Sequence, residues 1–130
     1  MTEGIDFSKY GKAFQESLAQ LIFEDRPFCD QIEEVLDINF FELKYLRAFI
    51  ERVFDYRKQY GVHPSTSVFT SILRTELEHY SPALQKQIRD YYARCEARDV
   101  QDQEYIKDTS LDFCKKQKLK GALVQSVELI

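Results

Sequence analysis

The sequence predicts an all-α protein, a compact bundle of about six helices, from three observations. Apolar residues recur at positions i, i+4, i+7 and i+8 along most of the chain, which is the period of an amphipathic helix. No stretch of four or more residues alternates apolar and polar side chains convincingly, so no sheet is expected. Only four Gly and three Pro in 130 residues leave few positions for tight turns. This length fits a single domain, residues 1–130.

The first three helices are predicted from apolar stripes separated by capping residues. Asp25 is a typical N-cap, and Pro27 is tolerated in the first helical turn because its missing N–H would have no acceptor there. Asn39 is expected to cap the third helix, which should span about residues 40–60 and end at Gly61. The three stripes comprise Phe14, Leu18, Leu21 and Ile22, then Phe28, Ile32, Val35 and Leu36, then Leu43, Leu46, Ile50, Val53 and Phe54.

Two serines mark the starts of the fourth and fifth helices. Ser65, or the adjacent Thr66, is expected to cap the fourth helix after a linker that contains Pro64. Ser81 is expected to cap the fifth helix, with Pro82 in its first turn. The apolar stripes of these helices comprise Val68, Phe69, Ile72, Leu73 and Leu77, then Leu84, Ile88, Tyr91, Tyr92 and Cys95.

A sixth helix is predicted from about Asp102 to the last residue, Ile130. We expect it to form an extended antiparallel hairpin with the fifth helix, residues 81–130, beside a compact helical subdomain of residues 1–80. No Gly, Asn or Pro caps its end, and an uncapped apolar helix usually continues or is covered by another chain. We therefore expect a module that belongs to a larger assembly, with four side chains poorly covered within one copy: Leu119, Leu123, Val127 and Ile130.

Charge and cysteine content restrict the classes of function. The net charge of −4 gives no overall case for nucleic-acid binding. The charge is uneven, because residues 1–43 hold ten acidic and three basic residues, whereas residues 44–130 hold twelve acidic and fifteen basic residues. This polarity suits oriented self-assembly or partner docking, and it also arises by chance in a small domain. The odd number of cysteines, without a signal-peptide core or a long apolar run, predicts a reducing, cytoplasmic location with no membrane contact.

No catalytic, cofactor or metal site is predicted, so the chain is not expected to be an enzyme. Its four glycines are isolated, whereas a phosphate-binding loop needs clustered glycines. His63 and His79 are 16 residues apart, and no cysteine pair has the spacing of metal ligands. Glu33, Glu34 and Asp37 are expected to form a solvated helix face rather than an acid–base pair. Buried, inert thiols are expected at Cys29, Cys95 and Cys114.

Two sets of residues are candidates for contact with a partner. The first is a lysine run that suits a solvated face or an acidic protein surface better than a phosphate backbone, since no aromatic platform accompanies it. The second set comes from the last two helices and is expected to pack the hairpin or to contact a second copy. The lysine run comprises Lys115, Lys116, Lys118 and Lys120, and the second set comprises Leu84, Ile88, Tyr91, Tyr92, Ile106 and Phe113.

Four segments resemble the amino-terminal domain of DnaB-type replicative DNA helicases, and phage-encoded members most. They are residues 18–28 (LAQLIFEDRPF), 39–50 (NFFELKYLRAFI), 60–66 (YGVHPST) and 105–108 (YIKD). They resemble, in order, the family's first helix boundary, the start of its long central helix, the link that follows, and its Tyr-containing approach to the final helix. Two features depart from the family: Tyr45 stands where it often has His, and no Gly-rich element lies between Leu77 and Leu84.

The resemblance implies a non-catalytic collar. In such helicases the amino-terminal domains associate through helical hairpins, as dimers or as a trimer of dimers in a hexamer. They dock primase and, in some cases, a helicase loader, and their contact with DNA is weak or indirect. ATP and Mg²⁺ would belong to an ATPase domain outside this sequence, in the cytoplasm of a bacterium or a phage-infected bacterial cell. The alternatives are the helicase-binding domain of a primase and a small helical nucleic-acid binder that uses residues 115–120.

Overall fold

The computed structural model describes residues 5–129, with side chains as far as residue 121. Within this range the protein is all-helical, which confirms the predicted fold class, and no strand is present. Two short 3₁₀ turns, Phe7–Tyr10 and Ile38–Phe40, accompany the α-helices. The α-helices are α1 (Gly11–Glu24), α2 (Arg26–Ile32), α3 (Lys44–Tyr60), α4 (Thr66–Thr75), α5 (Pro82–Glu96) and α6 (Gln103–Leu129).

Side-chain caps define the starts of three α-helices, α2, α4 and α5, as predicted. The Asp25 carboxylate accepts a hydrogen bond from the backbone N–H of Phe28 at 3.1 Å, so α2 follows α1 after a single residue. Ser65 and Ser81 accept from the N–H three residues further on, at 3.3 and 3.2 Å. Gly61 ends α3 with φ of 72°, a left-handed conformation that costs glycine little. Sequence and backbone geometry therefore agree at these four boundaries.

The start of α3 differs from the prediction. Asn39 does not cap this helix: Asp37 accepts the Asn39 N–H at 2.9 Å to start a 3₁₀ turn, and α3 itself follows Leu43 without a side-chain cap. Phe41 then adopts extended backbone, with φ of −73° and ψ of 126°, and its side chain is fully buried. Burying this ring requires the chain to leave the helical path, so α3 begins only at Lys44.

The core has two aromatic clusters around α1, which packs against α2, α3 and α6. In the first cluster the Phe69 ring lies 4.6 Å from that of Phe23 and 5.1 Å from that of Phe49, so α4 is attached to α1 and α3. In the second, the fully buried Phe7 ring lies 5.0 Å from that of Phe113 and attaches α6 to the start of the chain. Such contacts add to the free energy of apolar burial.

The last two helices pack mainly on earlier helices rather than on each other as the expected hairpin. In the described part of the chain, α5 packs against α3, whereas α6 packs against α1 and α2. The Lys107 ammonium lies 2.5 Å from the Asp25 carboxylate, and Lys118 donates to the backbone carbonyl of Glu34 at 3.3 Å. The buried residues of each of these helices are therefore covered mainly by earlier helices. Residues before and after position 80 contribute to one hydrophobic core.

Candidate docking surfaces

The predicted set of hairpin or interface residues lies in the core of one copy. Five of the six side chains are no more than 6% exposed, and the remaining one, Leu84, is half-buried against the core. A side chain already covered by its own chain offers little area to a second copy, so these five residues serve packing within one copy. The five are Ile88, Tyr91, Tyr92, Ile106 and Phe113.

A buried polar seam joins α1 to α3 and α5. Glu16 is only 5% exposed, and its carboxylate accepts hydrogen bonds from the Tyr45 hydroxyl at 2.5 Å and the Arg94 guanidinium at 2.6 Å. Tyr91 donates its hydroxyl proton to the backbone carbonyl of Glu16. Burial, reinforced by the Glu16 carboxylate, raises the pKa of Tyr45. These polar groups are hydrogen-bonded to one another, so the seam holds the three helices together.

Gln20 extends this seam to the end of α5. Its side-chain amide donates to the carbonyl oxygens of Cys95 at 3.2 Å and Arg98 at 2.9 Å, and it accepts from the Arg98 guanidinium at 3.0 Å. The sequence analysis missed this role. The sequence offered one indication of it: Gln20 lies one helical turn after Glu16, beside the apolar stripe of the first helix.

His63 and the acidic end of α2 meet at Arg57. The guanidinium donates to Glu33 at 2.9 Å, to Asp30 at 2.5 Å and to Nδ1 of His63 at 2.9 Å. His63 in turn donates from Nε2 to the backbone carbonyl of Phe23 at 2.5 Å. The hydrogen bond from Arg57 lowers the pKa of Asp30. Glu33 is therefore part of an ion-pair cluster rather than of a fully solvated face, and the histidine fixes the loop after α3.

The three thiols are buried, as expected. Burial raises the pKa of Cys29 to about 12, that of Cys95 to about 11 and that of Cys114 to about 12. A thiol with such a pKa carries almost no thiolate near neutral pH, and the thiolate is the reactive form. These residues therefore pack as small apolar side chains.

The exposed surface at residues 115–121 of α6 is here called the α6 end. All four lysines of the predicted run are exposed there, and Lys116 pairs with Asp112 at 2.9 Å. Leu119 is 61% exposed, which confirms that it is poorly covered within one copy. The side chains of Leu123 and Val127, and all of Ile130, lie outside the described residues. The lysines in question are Lys115, Lys116, Lys118 and Lys120.

A groove of about 530 Å³ separates the second half of α3 from α4 and is here called the α3–α4 groove. Tyr56 and Tyr60 line one wall, with their rings 4.7 Å apart, and Tyr60 is 59% exposed. Val68 and Ile72 of α4 face them. Charged and polar side chains form the rest of the lining: Arg52, Asp55, Gln59, Ser67, Ser71 and Glu76.

No protein-family model, curated protein or solved structure matches the chain. Within residues 5–129, no group of three or more His, Cys, Asp or Glu side chains is placed to hold a metal ion. None of the helices in the described range combines the length and apolar composition that crossing a membrane requires. Two of the surfaces in the described part of the chain expose apolar side chains beside charged ones: the α6 end and the α3–α4 groove.

Proposed function

We propose that this chain is a non-catalytic assembly and docking domain of a hexameric replicative DNA helicase. It supports association of the ring and recruits primase during DNA replication. The observation that carries the proposal is the α6 end, where Leu119 is exposed among four exposed lysines directly after the fully buried Cys114. We propose a helicase ring as the assembly because four segments resemble helicase amino-terminal domains.

The α6 end has the composition of a protein contact. A helix needs an apolar stripe only where another surface covers it, and α6 remains helical beyond Cys114, the last buried residue among the side chains that the structure describes. Leu119 supplies an apolar centre, and lysines one turn away supply a charged rim, which is the usual arrangement of an interface. We therefore propose this segment as the surface through which one copy associates with another in the ring.

The non-catalytic part of the proposal is supported by the chemistry of the buried groups. The thiols are held neutral by burial, and His63 and Glu16 are already engaged by neighbouring groups. ATP and Mg²⁺ would act in an ATPase domain that this chain serves, together with a helicase loader in systems that use one.

Two alternative functions remain, and each implies a different binding partner for this chain. The helicase-binding domain of a primase would show the opposite preference, binding helicase and not primase. A nucleic-acid binder would use the α6 end, and the observation that favours it is the exposure of all four lysines. Its affinity would fall steeply with added salt, because counterions are released on binding phosphates.

Binding to purified partners tests the proposal. The chain is immobilised and challenged separately with a replicative primase, a helicase ATPase ring and single-stranded DNA at several salt concentrations. We expect primase to be retained by the native chain and by the double variant Lys115→Glu/Lys120→Glu alike, because the α6 end contacts another copy rather than primase. The matched control is Lys12→Glu/Lys44→Glu, which makes the same change of charge at two exposed lysines elsewhere. Retention of the ATPase ring without primase would support the primase-domain alternative, and salt-sensitive DNA binding alone would overturn the docking proposal.

A further inference from the structure

We propose that the α3–α4 groove of one copy receives the α6 end of a second copy. This inference rests on the proposed function as an assembly domain and names the two surfaces that meet. The two are different surfaces of the same chain, so the contact is head-to-tail. A head-to-tail contact closes into a ring when its rotation permits, which is the form of assembly that a ring helicase needs.

The groove has the shape and lining of a site for a helix. Its volume of about 530 Å³ lies within the range of binding clefts, and its long walls are two helices. Tyr56 and Tyr60 form an aromatic wall, and Val68 provides a half-buried apolar floor. Helix-in-groove recognition uses an apolar anchor on one face of the incoming helix. Leu119 is such an anchor, being 61% exposed in its own copy.

The charges of the two surfaces are complementary. The lining of the groove carries two carboxylates, Asp55 and Glu76, against the single cation Arg52, which already pairs with Asp55 at 2.6 Å. Residues 112–120 of α6 carry four lysines against one aspartate. An ammonium group beside the exposed face of Tyr60 would add a cation–π contact. The acidic groove therefore favours a basic occupant, and the chain supplies one.

Two lysines of the α6 end contact residues of their own copy that lie outside the groove. Lys116 pairs with Asp112, and Lys118 donates to the carbonyl of Glu34 just after α2; neither partner lines the α3–α4 groove. Cys114, immediately before the α6 end, is fully buried in its own core, and α6 remains helical through this segment. We therefore assign the contact to the groove of a neighbouring copy.

A single helix end in a groove makes a small interface, so the contact between two copies should be weak. Stable pairs generally bury at least about 1,200 Å² in total. Closure of a ring compensates, because the last contact forms within the assembly at high effective concentration. The inference therefore predicts association that rises with protein concentration, rather than a tight dimer.

Crosslinking between two singly substituted chains tests the inference. Ser71→Cys in the groove is mixed with Lys116→Cys at the α6 end, and a short bismaleimide is added. The native thiols, with pKa values raised by burial, stay unreactive in the folded chain. We expect a crosslinked heterodimer from this mixture. The matched control replaces Lys116→Cys by Lys12→Cys, which is exposed on α1 and should give none.

Reversing the charges tests whether the crosslink depends on the charge complementarity of the groove and the α6 end. Asp55→Lys/Glu76→Lys on the groove chain should lower the yield about tenfold, and Lys115→Glu/Lys120→Glu on the other chain should restore it. Equal yields from both cysteine pairs would overturn the inference. The absence of a heterodimer at concentrations where the native chain associates would also overturn it. Neither result would affect binding to primase, so this failure is distinct from failure of the proposed function.

Discussion

Glu16 is the residue whose environment departs most from that of an ordinary surface carboxylate. It is 5% exposed, and Tyr45 and Arg94 both donate to it. Removing it leaves a buried hydroxyl without an acceptor, so Glu16→Ala should lower the free energy of unfolding by about 3 kcal/mol. The exposed Glu34→Ala is the matched control and should change it by less than about 0.5 kcal/mol. Urea denaturation measures both, and equal values would show that the seam contributes nothing.

The thiols give a second expectation at this scale. Cys29, Cys95 and Cys114 are buried, and burial raises the pKa of each. The folded protein should therefore react with none of its three cysteines in a thiol-titration assay at pH 8, whereas the urea-unfolded chain should react with all three. Rapid modification of one cysteine under native conditions would mean that its helix opens locally.

Among the elements, α2 is tied to its surroundings by one side chain with two roles. Asp25 caps α2 and also pairs with Lys107 of α6. Burial acts to raise the pKa of this carboxyl, but the hydrogen bonds from Lys107 and from the Phe28 N–H outweigh it, so the net shift is downward.

A carboxyl whose pKa is lower in the folded chain than in the unfolded chain stabilises the fold above the unfolded value of about 3.9. That stabilisation is lost as the pH falls through the folded pKa. Asp25→Asn keeps a capping oxygen but cannot titrate, so the free energy of unfolding should vary less between pH 5 and pH 2 than in the native chain, by on the order of 1 kcal/mol. Parallel pH curves for the two proteins would contradict this assignment.

The element boundaries show how far local signals extend. Asp25, Ser65, Ser81 and Gly61 act where the sequence predicted, because capping is a short-range interaction between a side chain and the nearest backbone groups. The start of α3 was missed because burial of Phe41, a tertiary effect, overrides the local helical pattern. Periodicity shows that a residue is covered without showing which element covers it.

At the scale of the molecule, the all-helical class followed from periodicity, but the packing partners of α5 and α6 did not. Tyr91 and Phe113 were correctly placed on apolar stripes, yet the stripes are covered by helices distant in sequence. The α6 end was predictable, because Leu119 continues the apolar pattern beyond the core. The α3–α4 groove was not, since it depends on how Phe69 holds α4 against α1 and α3.

Sedimentation velocity of the isolated chain across a concentration series tests most directly the central claim that the α6 end mediates assembly. We expect the native chain to form larger species as concentration rises and Leu119→Glu to remain monomeric, because a carboxylate at the apolar centre of the contact would lose its hydration. Ile5→Glu, which alters a side chain that is 52% exposed elsewhere, should behave like the native chain. A native chain that stays monomeric at every concentration, or a Leu119→Glu variant that associates as the native chain does, would contradict the account.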